Sequence, residues 1–482
     1  MKTKNRKFNR IIIALLLTLP LLTGATPYPS YYYDQFGVVP ILDAAVPTYS
    51  ITGSDLGTTA LSKPNDFRFG LDGLCYIADT GNDRILVLDE SLSLIRIIET
   101  FDNNGAEDSF SSPEGVFAEA DGKLFIADTQ NERIVVLDAQ GNLITLMDNV
   151  SLTGSALTFR PQKVVVDTAG RIYAVSSGST EGLVQLTPEG SFVRFFGSNR
   201  VNPNPAEVIY RMFLTRQQRQ AREQFIPTEF SNLYIDEMGF LYVTTRNVKM
   251  NQIKRLNAVG NDVLKHEGTG ENTYGDLTLS QQNYNRTAQF QAVATDKDEN
   301  VFALDNATGK IFVYDNYGQF LFMFGGKGNQ TGMFTDPQAI AERDGTIYVC
   351  DSGRGAITVF NLTDFGQQIL NANHLYLLGE YEESIEPWNE VVRMDAGYTL
   401  AWHALGQAYY GRKDYAKAME YYKLGFSQSG YSRAFGQIRD MWIRDNFAAI
   451  VLIIIVILIS VVVLSKTVFR RKKKIPEGEK AV

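Results

Sequence analysis

The fold is decided by two similar stretches, YIADTGNDRILVLD at residues 76–89 and LFIADTQNERIVVLD at residues 124–138. In each stretch two short apolar runs flank a polar turn that contains Asp, Thr and Asn. An Asp-Gly pair lies just upstream of each stretch, at residues 72–73 and 121–122. Alternating apolar runs broken by such turn residues predict strands joined by hairpins.

The same unit recurs along the chain with a fixed spacing. The proline that opens each of the first three copies lies at position 64, 113 or 161, which gives intervals of 49 and 48 residues. The third to sixth copies are weaker and lie near residues 164–175, 233–243, 292–305 and 339–351. Six four-stranded units of this period predict an all-β, six-bladed β-propeller over residues 47–361. Residues 47–53 are predicted to complete the sixth blade and so remove a free sheet edge.

The repeat resembles the NHL repeat, whose Ala-Asp-Thr-x-Asn-x-Arg-Ile signature matches residues 78–85 and 127–134 closely. This resemblance implies an NHL-like six-bladed propeller. The third and fourth copies lack the signature.

A second, helical repeat follows the propeller. Tyr381 and Tyr415 lie 34 residues apart, and so do Ser384 and Ala418. Thirty-four residues is the tetratricopeptide period. Residues 368–443 are therefore predicted to form a small α-helical, TPR-like domain, with a generic helical hairpin as the alternative. Its last helix, from Ser432, could continue into the apolar segment that follows.

The two ends of the chain predict a membrane protein. Residues 1–25 combine a basic start, an apolar run and small residues, which is typical of a signal peptide, with an uncleaved N-terminal anchor as the alternative. Residues 447–468 are long and apolar enough for one transmembrane helix, and a basic tail follows at 469–482. The positive-inside rule then predicts a cytoplasmic C-terminus and an extracytoplasmic ectodomain at the cell membrane. A Tyr/Pro-rich segment at 26–46 precedes the propeller.

Charge and cysteine content narrow the class of protein. The chain has 46 Lys and Arg against 54 Asp and Glu, and the basic residues concentrate at both ends. The ectodomain is therefore strongly acidic, which argues against nucleic acid as a partner. With only Cys75 and Cys350, a disulfide-built fold is excluded. Their predicted strand positions differ by about 10 Å along the strands, which favours two buried thiols.

The sequence predicts no catalytic residue, no cofactor and no metal ligand. Of three histidines only His266 falls in the propeller, and a zinc site would need several. The alternative is a metal-dependent lactonase or hydrolase of the six-bladed type, with carboxylates such as Glu114 and Asp167 around an ion. The repeated set Asp79, Asn82 and Arg84 is interpreted as structural, because one active site would not need it twice.

Candidate interaction residues lie outside the repeated strands. A helical insert at 198–229 is basic on an acidic ectodomain, which predicts docking of an acidic partner or, equally, a solvated covering helix. Two tryptophans of the helical repeat complete the set of candidates, which is Arg211, Arg216, Arg219, Arg222, Trp388 and Trp402.

The whole layout resembles a family of bacterial surface proteins found beside carbohydrate ABC transporters. That resemblance implies a protein partner, such as a transporter component or a solute-binding lipoprotein. The sequence therefore predicts a membrane-anchored binding or scaffold protein. The small-molecule ligand, if any, stays open.

Overall fold

The structure is a computed structural model that describes residues 26–34, 37–148, 150–152, 157–197, 228–246, 251–264, 275–276 and 288–472. The predicted signal peptide, most of the basic insert with its four arginines, His266 and the end of the basic tail lie outside these residues. The chain divides into two compact units, which meet in sequence at Leu370 and Asn371.

The first unit is a β-propeller. Its sheets follow the predicted copies in order, and their strands are β4–β7 (Asp66–Phe69, Cys75–Asp79, Arg84–Leu88, Leu94–Ile98), β10–β13 (Pro113–Ala118, Leu124–Asp128, Arg133–Leu137, Leu143–Met147), β14–β17 (Pro161–Val166, Ile172–Ser176, Leu183–Leu186, Phe192–Phe196), β18–β20 (Phe230–Ile235, Leu241–Thr245, Ile253–Leu256), β21–β24 (Phe290–Thr295, Val301–Asp305, Lys310–Tyr314, Phe320–Lys327) and β26–β28 (Pro337–Arg343, Thr346–Asp351, Ala356–Leu362). The first strand of each sheet lies beside the first strand of the next, and β26 returns to β4. This arrangement closes a ring around a central channel.

The strand that closes the ring comes from the N-terminal side, as predicted. Strand β3 (Ala45–Thr52) pairs antiparallel with β28, with Ile51 opposite Ile357 and Tyr49 opposite Val359. The last sheet therefore joins both ends of the propeller sequence. Pairing across this seam protects an edge that would otherwise be free.

The Tyr/Pro-rich segment is part of the propeller, so the boundary predicted at residue 47 leaves out two strands. Strands β1 (Tyr31–Asp34) and β2 (Gly37–Pro40) form a hairpin on the outer edge of β24. Tyr31 is buried there, and Lys310 donates to its hydroxyl at 2.8 Å and to Asp276 at 2.7 Å. Three short strands complete the unit, β8 (Thr100–Asn103), β9 (Ala106–Ser109) and β25 (Met333–Phe334).

The repeated Asp-Asn-Arg set has the predicted structural role. Asp79 is fully buried and accepts from the backbone N–H of Ser62 (2.7 Å), from the Asn82 side chain (2.8 Å) and from Arg84 Nε (2.8 Å). Asp128 repeats this pattern with the corresponding residues of the second sheet. Asn82 donates to Asp79 and also to the Ala60 carbonyl.

Both cysteines are free and buried, as predicted. Burial raises the pKa of each thiol well above its ordinary value. They pack in the core between the first and last sheets, beside Phe67 and Ile357.

The second unit is helical. Helix α1 (Asp364–Leu377) spans the boundary between the two units. It is followed by α2 (Tyr381–Met394), α3 (Thr399–Gly411), α4 (Tyr415–Leu424), α5 (Gln428–Asp445) and α6 (Phe447–Lys472). Consecutive helices from α2 to α5 pack against each other. A Cβ on Gly406 would lie 2.6 Å from the Tyr422 ring, so the small residue permits a close crossing of α3 and α4. Tyr409 and Tyr421 stack across the same pair at 5.1 Å.

The last helix is long and apolar enough to cross a membrane over Phe447–Lys466, and it is the one such helix among the described residues. It does not run on continuously from α5. The two helices are separated by Asn446, whose backbone N–H caps α5 through the Trp442 carbonyl.

Candidate functional site

The channel is shaped by a β-bulge repeated near the start of its inner strands. In β10, β14, β18, β21 and β26 the pairing register shifts between the first and third residues. A β-bulge inserts one extra residue into a strand and changes the direction in which that residue's side chain points. That residue is polar in all five strands, and we call the set the bulge ring: Glu114, Gln162, Ser231, Gln291 and Gln338.

The bulge ring joins neighbouring sheets by hydrogen bonds. Gln162 Nε2 donates to Glu114 Oε2 at 3.0 Å, and Gln291 Nε2 donates to Gln338 Oε1 at 2.8 Å. Ser231 donates to the Phe290 carbonyl at 2.8 Å. The ring therefore presents amide and carboxylate groups at the end of the channel where the inner strands begin. We refer to this end as the channel mouth.

Lys163 lies directly behind the bulge ring and is completely enclosed, with 2% of its surface exposed. Its ammonium donates to the carbonyls of Asn65 (2.7 Å) and Glu114 (2.8 Å) and lies 3.4 Å from Asp66. Burial lowers the pKa of Lys163, and the carboxylates of Asp66 and Glu114 oppose that shift. The ammonium is thus held by two carbonyl acceptors and one carboxylate of the protein itself.

Arg68 crosses the channel deeper inside. From the first sheet it donates to the Leu233 carbonyl of the fourth sheet at 2.9 Å. Its guanidinium lies over the rings of Phe117 (5.9 Å) and Tyr234 (6.0 Å). Lys163 and Arg68 are therefore both held by main-chain carbonyls of neighbouring inner strands or their flanking residues.

A cavity of about 70 Å³ lies at the level of Arg68 and beyond it, lined among others by Phe69, Asn232 and Glu342. Since one water molecule needs about 10–15 Å³ by this measure, the cavity suits a few waters and not a large ligand. Burial raises the pKa of Glu342 to about 7, and the carboxylates of Asp296, Asp344 and Asp298 add to this shift.

Arg246 is a cation at the level where the inner strands begin, since the preceding Thr245 pairs with Phe230 at the start of β18. It follows β19, its side chain is exposed, and partial desolvation lowers its pKa. The carboxylates of Asp336, Glu114 and Glu229 act in the opposite direction.

The candidate carboxylates of the hydrolase alternative do not come together. Glu114 lies in the bulge ring, whereas Asp167 follows the opposite end of β14 and accepts from Arg171 and Tyr173. The length of β14 separates the two levels by about 16 Å. Among the described residues no group of three or more His, Cys, Asp or Glu side chains could hold a metal ion.

The predicted interaction residues differ in accessibility. Arg211, Arg216, Arg219 and Arg222 lie outside the described residues. Trp388 is a buried residue of α2 and is 1% exposed, so it offers no surface to a partner. Trp402 is half-buried, donates to the Ala396 carbonyl at 2.9 Å and stacks on Tyr421. The bulge ring and Arg246 were not predicted, although the polar residue after each repeated proline at 113, 161 and 337 is visible in the sequence.

The fold and its channel define a β-propeller protein. No protein-family model matches the chain, and a comparison with curated proteins finds no match. Among solved structures it is similar to a streptogramin B lyase, at 12% identity and a TM-score of 0.40 over 65% of this chain and 97% of that one. It is also similar to virginiamycin B lyase from Staphylococcus aureus, at 12% identity and a TM-score of 0.40, covering 69% and 87%. A third similar structure is the extracellular domain of a protein described as a hybrid two component system from B. thetaiotaomicron, at 12% identity and 0.38, covering 68% and 39%. At this identity the likeness concerns the fold alone.

Proposed function

We propose that the protein is a membrane-anchored, extracytoplasmic binding and scaffold protein. The observation that supports this proposal is the state of the channel. Two cations of the inner strands, Lys163 and Arg68, are bonded to the protein's own carbonyls. Charged groups whose hydrogen bonds are made within the protein stabilise the shape of the channel. The polar side chains of the bulge ring lie at the channel mouth, where they could contact a partner or ligand.

The finer architecture is part of the proposal. Each of the six inner strands belongs to one blade of an NHL-like propeller, and the three-stranded sheet is the fourth blade. The helical unit is TPR-like, because α2 and α4 begin at Tyr381 and Tyr415, 34 residues apart, and Gly406 admits the close packing of α3 on α4. TPR-like helices and propeller faces are both common platforms for protein partners.

The proposed membrane topology rests on the two ends of the chain. The apolar helix α6 is the span, and the basic residues after it remain in the cytoplasm. Trp442 is 59% exposed just before the span, where an aromatic ring suits the membrane interface. The propeller and helices α1–α5 are then extracytoplasmic.

The proposed partner is another membrane-associated protein, such as a transporter component or a solute-binding lipoprotein. The connection from α5 to α6 is one residue, so the helical unit is tied close to the bilayer. The basic insert supplies a second proposed docking element for an acidic partner through Arg211, Arg216, Arg219 and Arg222.

Site-specific photocrosslinking in cells tests this proposal. A benzophenone side chain replaces Trp402 in the helical unit, and a matched control replaces Ile95, which is 53% exposed on an outer strand of the first sheet. We expect one defined membrane-associated protein from position 402 and none from position 95. Reversing the charge of the four arginines should weaken capture if the insert contributes.

The competing function is a metal-dependent hydrolase with its site in the channel. Loss of capture at position 402, together with lactone hydrolysis that a chelator abolishes, would replace the scaffold proposal with this one.

A further inference from the structure

The cavity in the channel places a cation beside hydrogen-bond donors that the protein does not use. Its lining includes Arg68 of the first sheet, Asn232 and Tyr234 of the fourth, and residues of the inner strands β21 and β26. Arg68 Nη2 donates to the Leu233 carbonyl at 2.9 Å, which holds the guanidinium against β18. Asn232 and Tyr234 flank that carbonyl in the sequence and share one face of β18, because they lie two residues apart on a regularly paired stretch.

The charge of Arg68 is not balanced by a neighbouring carboxylate. Among the described residues its one hydrogen bond goes to a neutral carbonyl, and it makes no ion pair with any of them. Asp66 lines the same cavity, but it accepts from the Val116 backbone N–H at 3.2 Å and lies 3.4 Å from the Lys163 ammonium. A guanidinium carries five N–H donors, so most of those on Arg68 remain available to a ligand.

Asn232 supplies a further donor from a buried side chain. The residue is 4% exposed, and its Oδ1 accepts from the Leu233 backbone N–H at 2.6 Å. Its Nδ2 has no hydrogen-bond partner in the described part of the chain but retains accessible surface, so a molecule in the cavity can reach it. Tyr234 accepts from Thr295 at 3.4 Å, which leaves its own O–H able to donate. Since buried polar groups are almost always paired, these donors indicate a ligand that accepts.

We propose that the cavity binds a short-chain carboxylate, such as acetate or propionate. The carboxylate accepts from the planar guanidinium of Arg68 and from Asn232 Nδ2. Its alkyl part lies against apolar residues of β21 and β26, among them Ala292, Val293 and Ala339. The volume of about 70 Å³ is about half of the ~150 Å³ that holds a benzene ring, which suits a ligand of this size. The inference rests on the proposed binding function and names a ligand class for it.

Other small ligands fit the cavity less well. A cation would lie beside Arg68, and a neutral alcohol or amide would leave the guanidinium without a counter-charge. Inorganic phosphate has no apolar part, whereas apolar residues predominate in the lining. Glu342 also lines the cavity, but its pKa is raised by burial to about 7, so at pH 6 its carboxyl is mostly protonated and does not repel an anion.

A ligand-observed NMR titration of the full-length protein in detergent micelles at pH 6 tests the inference. The probes are acetate and propionate, with propionamide as the neutral analogue, ethylamine as a cation and inorganic phosphate as another anion. We expect acetate or propionate to bind at least about tenfold more tightly than each of the other three probes. Absence of carboxylate binding, or a smaller margin over any of these three, overturns the inference.

An isosteric variant tests the donor from Asn232. Asn232→Asp keeps the oxygen that accepts from Leu233 and replaces the N–H donor by a carboxylate oxygen, so it should weaken propionate binding about tenfold or more. Gln185→Glu is the matched control. Gln185 is 4% exposed, and its Oε1 accepts from Arg194 at 2.8 Å on β16, away from the cavity. This control should bind propionate as the natural protein does.

A second variant tests the cation. Arg68→Met removes the charge and the donors but keeps an apolar stem, and it should also weaken propionate binding about tenfold or more. Because Asn232→Asp keeps the hydrogen bond to Leu233, it reports even if Arg68→Met does not fold. Unchanged propionate affinity in either folded variant, or an equal loss in Gln185→Glu, overturns the inference.

Failure of this inference can be told from failure of the proposed function. Partner capture at position 402 is measured without added carboxylate. Capture without carboxylate binding overturns the ligand inference alone, whereas carboxylate binding without capture overturns the scaffold role alone.

Discussion

Single carboxylates organise the propeller at the residue scale. Asp79 and Asp128 end the second strands of their sheets and bind the backbone that leads into the first strand. Asp305 and Asp351 bind the corresponding backbone of the later sheets, at 2.9 Å to Gln289 and 2.8 Å to Thr335. The third sheet uses the Ser176 hydroxyl, which accepts from Arg160 at 2.9 Å. A side chain at the end of the second strand therefore still accepts from this backbone in sheets that lack the sequence signature.

Replacing Asp79 by Asn should destabilise the propeller strongly. The substitution leaves Arg84, which is 4% exposed, without its buried counter-charge. Loss of one partner of a buried pair costs about 3 kcal/mol. Urea unfolding measures the change. Asp89→Asn, at an exposed turn where Asp89 accepts from Ser91 and Ser93, is the control and should cost far less. Equal losses in the two variants would contradict the structural role.

Glu342 should make stability depend on pH. Its pKa is raised from 4.5 to about 7 in the folded state, so between these values the folded protein holds a proton that the unfolded chain has lost. Stability contributed by this residue is therefore complete below pH 4.5 and falls as the pH rises through 7. Glu342→Gln should remove about 2 kcal/mol of that fall, whereas exposed Glu107→Gln should not. Unfolding free energies at pH 5 and 8 provide the measurement, and parallel curves for all three proteins would refute it.

At the scale of elements, alanine substitutions at two helix glycines distinguish the effect of close packing on stability from the effect of helix propensity. Gly406→Ala places a methyl group 2.6 Å from the Tyr422 ring, while Gly436 in α5 has no atom within 4 Å of an added Cβ. We expect Gly406→Ala to lose about 1–3 kcal/mol by overpacking. Gly436→Ala should gain about 1 kcal/mol, because alanine favours the helix. Thermal unfolding of the helical unit compares the two, and a gain in both would show that α3 and α4 do not cross closely.

The N-terminal hairpin should stabilise the sheet that it extends. Tyr31 is 7% exposed on β1, and its hydroxyl contacts Asp276 and Lys310. Tyr31→Ala should cost about 3 kcal/mol, since it removes a buried aromatic ring. Val38→Ala on β2 is the control, because Val38 is 53% exposed. If denaturant unfolding gives the same small loss for both, the hairpin is not part of the propeller core.

At the scale of the whole molecule, the proposed membrane anchoring can be tested on the apolar helix α6. A chain that stops after Asn446 loses the only helix in the described residues that could cross a membrane, so we expect it in the soluble fraction. A chain that stops after Lys472 keeps the helix and should stay with the membrane. Cell fractionation distinguishes them. In the intact protein, external protease should remove the propeller and spare the tail, and a protected propeller would contradict the proposed orientation.

Local patterns determined the elements of this protein. The strands, the β-propeller they form, the closing strand at 45–52 and the apolar helix could all be predicted, because alternation, period and length are properties of neighbouring residues. The free, buried cysteines followed from their strand positions. The β1–β2 hairpin could not be predicted in the same way. Its pairing partner β24 lies almost 300 residues away, so the sequence around β1 and β2 contains no signal for this pairing.

The candidate site was decided by tertiary structure. A bulge is set by the pairing between strands, so only the folded sheets show that Glu114, Gln162, Ser231, Gln291 and Gln338 share one level of the channel. Likewise, Arg68 reaches Leu233 across 165 residues of sequence because the ring closes. The sequence determined which blades form, and ring closure determined which of their polar side chains meet, because closure brings together residues that no local pattern connects.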